Sequence, residues 1–219
     1  MCGRFTLRTP LTVLIDQFQV DFGADRQLPL RFNVAPTQDI PVVRQTDAGR
    51  ELAIMRWGFI PSWSKEANSG PLLINARSET VAEKPTFRSA FKSRRCLIPA
   101  DGFFEWKNVG GKKQPYYFQV ANGKPFAFAG LWEKWQAIKS CAIITTGANE
   151  LSAQLHDRMP VLLSPIDYAE WLDPEQPGPT KLLAPFPSSE MTATPVNPIV
   201  NNARNEGPEC IEPVAGVPK

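Results

Sequence analysis

Residues 103–120 read FFEWKNVGGKKQPYYFQV, and this stretch decides the architecture that the sequence predicts. The runs FFEWK and PYYFQV are rich in aromatic residues, as β-strands are, and the glycine-bearing segment VGGKKQP joins them. A connection of this kind is typical of a β-hairpin, so we expect the two strands to pair antiparallel. The sequence therefore predicts an antiparallel sheet at the centre of the chain.

Short elements of the same kind fill the rest of the chain, which has 22 prolines and six tryptophans. Further strand-like runs are IPVVRQ, ELAIMRW, PLLINAR, RRCLIPA, PFAFAGLW and CAIITT. One helix is expected after Thr9, as the capping residue, and Pro10, as the first helical residue; another is expected after Ser164-Pro165. Shorter helical patterns occur at TFRSAFKS and NELSAQLHD.

Strands thus outnumber helices, which predicts an α+β fold. We expect a single domain, residues 2–213, around a curved, mostly antiparallel β-sheet (barrel-like) with short flanking helices. Residues 214–219 are predicted to form a loose C-terminal tail.

Composition excludes several classes of protein. With 219 residues, of which 42% are hydrophobic, the chain can bury a core, and its net charge of +2 allows an anionic partner without requiring one. It has no long apolar run and no signal-peptide pattern, so we expect a cytoplasmic, nucleoid-associated protein, or a nuclear one in a eukaryote. Its four cysteines form no CxxC pair and are accompanied by one histidine, which argues against a zinc site and a disulfide framework.

The first four residues, MCGR, place a cysteine directly after the initiator methionine. Methionine aminopeptidase is expected to remove Met1, leaving Cys2 with a free amine and a thiol. Unperturbed, these groups have pKa values of about 7.7–8.0 and about 8.5, so both can act as nucleophiles near neutral pH. The pair can attack a carbonyl through the thiolate, or form an imine through the amine and then close a thiazolidine ring. From these letters alone, an incidental cysteine remains the favoured interpretation.

Alternation along FFEWK places Phe103, Glu105 and Lys107 on one face, with Phe104 and Trp106 on the other. A solvated Glu105 beside Lys107 is the interpretation that this pattern alone favours. The alternative is a carboxylate that the aromatic residues desolvate, with a pKa raised towards the range useful for proton transfer.

Three further side chains could carry chemistry. His156, the only histidine, follows a helical pattern and precedes an apolar strand, beside Asp157 and Arg158. In PLLINAR the apolar strand ends at Asn75 and Arg77, which could polarise a carbonyl and bind phosphate. A structural histidine and a solvated strand end are the commoner alternatives.

In combination, the motifs resemble the SOS response-associated peptidase (SRAP) family, also described as the abasic-site processing domain. The resemblance rests on MCGRF, FNVAPTQ, RWGFIPSW, LLINARSET, FRSAFKSRRCLIPADGFFEWK, KQPYYF and HDRMPV, in this order over roughly residues 2–163. It implies that Cys2 captures the aldehyde of an abasic site in single-stranded DNA as a stable thiazolidine crosslink, which protects the strand from cleavage. We also expect no cofactor, no metal and no membrane partner, and we expect a monomer.

The resemblance also implies roles for individual residues. Glu105 and His156 would transfer protons, and Asn75 would hold the N-terminus or the sugar oxygen. The residues expected to contact DNA are Arg4, Asn33, Pro36, Trp63, Arg77, Lys84, Arg88 and Arg158. Among these, Lys84 or Arg88 would replace an arginine that some relatives have after the INARxET motif. The family was first proposed to be a thiol autopeptidase, and that activity stays open.

Two other functions compete with this interpretation. Glutamine-hydrolysing amidotransferases with an N-terminal nucleophile also begin MCG, but the chain has neither their NGEIYN-like loop nor their HRGPD-like arginine site. The third possibility is a non-enzymatic single-stranded DNA-binding module in which Cys2 is incidental.

Overall fold

The structure is a computed structural model that describes residues 2–25, 27–67, 70–120 and 123–215. β-Strands are more numerous than α-helices among these residues, as predicted. The strands are β1 (Phe5–Leu7), β2 (Arg31–Val34), β3 (Asp39–Thr46), β4 (Gly49–Trp57), β5 (Asn75–Arg77), β6 (Arg95–Ala100), β7 (Gly102–Val109), β8 (Lys112–Val120), β9 (Phe126–Trp135), β10 (Ile138–Gly147), β11 (Arg158–Pro160), β12 (Leu162–Leu163) and β13 (Met191–Pro195). The α-helices are α1 (Leu11–Phe18), α2 (Arg88–Ser93) and α3 (Tyr168–Leu172).

The first sheet contains the hairpin that the sequence predicts. Its strand order is β13-β8-β7-β1-β2, and all of its pairs are antiparallel. The β7–β8 turn consists of Gly110 and Gly111, whose φ angles of 56° and 82° suit a two-residue turn that matches the strand twist. Opposite residues include Glu105 and Tyr116. The strands extend further into the predicted connection than expected, which leaves a turn of two residues.

The second sheet has the order β11-β10-β4-β3-β6-β9-β12, and β5 pairs with β10. A further pairing of β10 with β9 closes a ring of hydrogen bonds through β10, β4, β3, β6 and β9. Most pairs are antiparallel, but β10 pairs with β4 and with β5 in parallel. The chain is thus an α+β protein with curved, mostly antiparallel sheets and short helices, as predicted, although the strands form two sheets and not one.

The main core lies between these sheets and confirms the predicted alternation along β7. Phe103 stacks on Phe118 with the ring centroids 4.8 Å apart, and both belong to the main core. Phe104 and Trp106 point to the opposite face and join a smaller cluster with the C-terminal segment. Both faces of β7 are therefore covered, which explains why the first half of this strand, residues 102–105, is buried.

Three local predictions were wrong. Thr9 does not cap α1: Pro10 is the N-cap, and the Thr9 hydroxyl donates to Asp101 at 3.1 Å instead. Only Asn75–Arg77 of PLLINAR is a strand, and only Ser152–Gln154 of NELSAQLHD is helical, as a short 3-10 helix. The α2 and α3 helices do form within the predicted segments.

The chain beyond β13 packs closely onto the first sheet. Cys210 is fully buried, and Pro213 forms an isolated bridge with Val196. Of the predicted tail, the Val214 N–H donates to the Pro195 carbonyl, while residues 216–219 lie outside the described residues. In the described ranges, no helix has the length and apolar character needed to cross a membrane.

Candidate functional site

Cys2 is fully buried at the point where the two sheets meet. It lies three residues before the start of β1, which pairs with β7 in the first sheet. The side-chain amide of Asn75, on β5 of the second sheet, donates to the Cys2 carbonyl at 3.0 Å. The Cys2 thiol faces the Arg4 carbonyl at 3.8 Å. The start of the chain is therefore held in place by both sheets, while Met1 itself lies outside the described residues.

Burial changes the acid–base properties expected of this site. The side chain of Glu105 is buried, with the residue 4% exposed, so the interpretation as a solvated glutamate is wrong. Desolvation raises the pKa of Glu105, and the positive charge of the amino terminus partly offsets this. Desolvation and the nearby Glu105 charge likewise raise the pKa of the Cys2 thiol well above its usual range. The expectation of an unperturbed thiol is therefore also wrong, and the resting thiol is protonated.

His156 lies between the short 3-10 helix and β11, as the sequence predicts, and is partly exposed. Its Nδ1 is 3.0 Å from the backbone N–H of Arg158 and 2.8 Å from a carboxylate oxygen of Asp157. The amide requires an unprotonated Nδ1, whereas the carboxylate requires a protonated one. Desolvation lowers the pKa of His156, which favours the neutral ring.

Glu105 and His156 both lie close enough to Asp157 for its negative charge to favour their protonated forms. The structure thus brings the four predicted catalytic residues, Cys2, Asn75, Glu105 and His156, to one place between the sheets.

Two predicted phosphate-binding regions differ in their availability. The side chains of Arg77, Lys84 and Arg88 are exposed. Arg77 lies two residues beyond Asn75 on β5, so the two side chains share a face. By contrast, both terminal nitrogens of Arg158 donate to the Glu79 carboxylate, and one also donates to the Thr145 carbonyl at 2.6 Å. A phosphate on Arg158 would have to compete with Glu79.

Asn33 and Arg4 are hydrogen-bonded to each other and to the C-terminal segment. Asn33 is fully buried, so the predicted direct contact of its side chain with DNA does not fit its position. Arg4 donates to the Asn33 side chain at 2.7 Å and to the Val200 carbonyl at 2.9 Å. Pro36 and Arg4 nevertheless border an open groove of about 440 Å³, beside Gly3.

The two tryptophans of RWGFIPSW have different environments. Trp57 is fully buried in the main core, whereas Trp63 is 69% exposed. Trp63 lines a pocket of about 420 Å³ together with the exposed Leu72, three residues before Asn75. Trp63 is thus free to stack on a ligand, as the sequence analysis expects.

A buried polar group that no sequence pattern indicated anchors β1. Asp101 is 2% exposed and accepts hydrogen bonds from the Thr6 hydroxyl at 2.5 Å and from the Arg8 backbone N–H at 2.5 Å. The Tyr117 hydroxyl is 2.8 Å from the Thr6 hydroxyl, and any side chain at Gly102 would collide with the Tyr117 ring. These residues are far apart in the chain, so no local pattern indicates them. Together they fix β1, the strand that follows Cys2.

A metal centre finds no support among the described residues, where no group of three His, Cys, Asp or Glu side chains could hold a metal ion. The site instead contains a nucleophilic side chain, Cys2, and two acid–base side chains, Glu105 and His156.

Comparison with known proteins assigns the chain to a family. The model of the SOS response associated peptidase (SRAP) family matches residues 1–203. The protein named abasic site processing protein YoqW, from Bacillus subtilis, is 42% identical over 97% of this chain and 99% of its own length. Abasic site processing protein YedK of Escherichia coli is 33% identical over 98% and 100%. The chain is therefore a member of the SRAP family.

Solved structures share the fold of this chain. A crystal structure of a protein from Bacteroides thetaiotaomicron has a TM-score of 0.84 with 25% identity, covering 97% of this chain and all of that one. A second, from Bordetella bronchiseptica, has a TM-score of 0.77 with 28% identity over 90% of this chain. The resemblance that the sequence motifs indicate is confirmed at the level of the family.

Proposed function

We propose that this protein processes abasic sites in DNA as part of the response to DNA damage, and that it does so by forming a covalent thiazolidine with Cys2. Relatives of nearly the same length are named abasic site processing proteins. The observation that carries the proposal is the position of Cys2, whose carbonyl is held by Asn75 while its thiol is buried beside Glu105. Such a site suits the aldehyde of a ring-opened sugar, because closing a thiazolidine ring on the aldehyde carbon requires both an amine and a thiol.

In the proposed reaction, removal of Met1 exposes the Cys2 amine. The neutral amine adds to the aldehyde carbon of the ring-opened deoxyribose, and loss of one water gives an iminium. The Cys2 sulfur then adds to the same carbon as its proton leaves, which closes a five-membered ring. Because this consumes the iminium, the β-elimination that would cut the strand does not follow.

The raised pKa values favour this order of events. A protonated thiol is a poor first nucleophile, so the amine reacts first. A Glu105 carboxyl with a raised pKa can donate a proton to the departing water, and as a carboxylate it can then accept the thiol proton. A neutral His156 would donate from Nε2 to the sugar or to an adjacent phosphate oxygen.

Exposed basic and aromatic side chains supply the surface for a single strand. Arg77 would bind the phosphate nearest to the site, with Arg88 or Lys84 further along. Trp63 would stack on a base, a contact worth ~1–3 kcal/mol. We expect the protein to act on chromosomal DNA in the cytoplasm or, in a eukaryote, in the nucleus.

The test uses a single-stranded oligonucleotide with one abasic site, followed by a denaturing gel. Wild-type protein should give a heat-stable shifted band. Cys2→Ala should give no thiazolidine, and a tag retained ahead of Cys2 should have the same effect. Cys2→Ala and Cys2→Ser both keep the amine but lack the thiol, so in both variants the iminium should form and the strand should be cut. A stable shifted band with Cys2→Ala would refute the mechanism.

The same protein preparation separates the competing functions. Release of ammonia from glutamine would favour the amidotransferase-like hydrolase. Strand binding without any covalent product would favour the non-enzymatic DNA-binding module. Loss of Met1 in a strain without methionine aminopeptidase activity would support autopeptidase activity.

A further inference from the structure

A groove of about 320 Å³ lies next to the catalytic group and has no role in the reaction described above. Its apolar wall consists of Tyr116, Leu151, Leu155, Ala193 and Pro195. Tyr116 and Ala193 belong to β8 and β13, and the two leucines flank the short 3-10 helix. The groove is therefore formed between the first sheet and the segment that leads to His156.

Three connections place this groove at the reaction site. Tyr116 is the direct neighbour of Glu105 across the β7–β8 pair. Leu155 immediately precedes His156. Lys107, which also lines the groove, lies two residues beyond Glu105 on the same face of β7. A molecule in the groove would thus contact residues that are direct neighbours of Glu105 and His156.

The polar side chains of the groove suit a nucleotide. Among the ion pairs between described residues, none involves Lys107, so its ammonium is available to an anion. Gln154 contributes an amide that can donate and accept at the rim. Flat apolar walls with a few polar groups at the edge are what a heterocyclic base requires.

We propose that this groove binds the nucleobase of one nucleotide that flanks the abasic sugar, while Lys107 binds the phosphate of that nucleotide. The inference rests on the proposed function, because it assumes that an abasic strand occupies the site. An abasic site has lost its own base, so a neighbouring base has no stacking partner on that side. The groove would take the place of the missing stacking base, and it would thereby position the abasic sugar next to Cys2.

The test compares substrates that differ in one base. Three single-stranded oligonucleotides carry the same reactive abasic site, and in two of them an unreactive tetrahydrofuran spacer replaces the nucleotide on the 5′ or the 3′ side. Crosslinking rates are measured at subsaturating protein. With wild-type protein, one of the two spacers should lower the rate by about 5-fold or more, the low end for loss of a base contact.

A groove-filling variant links this effect to the groove. Ala193→Leu should crosslink the normal substrate as slowly as wild type crosslinks the sensitive spacer substrate, and it should be insensitive to the spacer. Ala153→Leu makes the same change at an exposed position outside the groove and should behave as wild type. If Ala193→Leu fails to fold, Lys107→Ala is compared with Lys112→Ala, the exposed lysine near the hairpin turn. Only Lys107→Ala should reduce the rate.

Each outcome decides the inference. Equal rates on all three substrates would overturn it while leaving the proposed function intact, and so would an Ala193→Leu variant that keeps the wild-type spacer sensitivity. If the groove instead binds a protein partner, Ala193→Leu should crosslink at the wild-type rate, which would also overturn the inference. No crosslinking of the normal substrate by wild type would contradict the proposed function itself.

Discussion

Replacing Asn33 by alanine should destabilise the folded chain strongly. The Asn33 amide nitrogen lies 3.3, 3.1 and 2.9 Å from the carbonyls of Val200, Asn202 and Asn205, and its oxygen accepts from Arg4 at 2.7 Å. Two amide hydrogens can make two good bonds, at about 1 kcal/mol each, and the charged bond to Arg4 adds about 2 kcal/mol. We therefore expect a loss of about 4 kcal/mol in the free energy of unfolding.

Urea unfolding followed by tryptophan fluorescence measures this loss from the shift in midpoint. Asn202→Ala is the matched control, because Asn202 is exposed and its side chain accepts only a local bond from the Arg204 N–H. The Asn202→Ala variant should lose about 1 kcal/mol or less of the free energy of unfolding. Equal, small losses in both variants would refute the structural role of Asn33. If Asn33→Ala were as stable as wild type but bound DNA poorly, the DNA contact expected from the sequence would be right.

The remaining predictions concern charge. Glu105→Gln should raise the free energy of unfolding at pH 7, because burial raises the pKa of Glu105 and its charged form costs stability above the unfolded value of about 4.3. The gain should vanish below that pH in paired urea titrations, and a variant less stable than wild type at pH 7 would contradict it. Arg77→Ala should weaken DNA binding and reduce the slope of log affinity against log salt by about 0.7; unchanged affinity at every salt concentration would show that Arg77 does not bind a phosphate. Glu79→Ala should release Arg158 and tighten binding in the same titration, and a weaker complex would mean that Glu79 only positions Arg158.

The sequence predicted the fold where the pattern is local. The hairpin around Gly110 and Gly111 and the alternation of Phe103 and Phe104 follow from residue spacing, and the structure confirms both. The α+β class follows from the same reasoning. The division into two sheets depends on which distant strands pair, and a single sequence does not encode that in any local pattern.

Burial accounts for the other differences. From its neighbours, Glu105 has the pattern of a solvated side chain, and only the packing of the two sheets desolvates it. The expectation for Asn33 came from the family resemblance, and the structure shows instead a buried hub for the C-terminal segment. The anchoring of β1 by Asp101 joins residues 95 positions apart, which no spacing rule detects.

Mass spectrometry of the crosslinked product tests the central claim most directly. The protein is reacted with the abasic oligonucleotide, digested with protease and nuclease, and sequenced at the amino-terminal peptide. We predict a peptide that begins at Cys2, carries the sugar with the loss of one water, and has neither a free amine nor an alkylatable thiol. A sugar attached to a lysine, or a crosslinked peptide that still begins with Met1, would contradict the account.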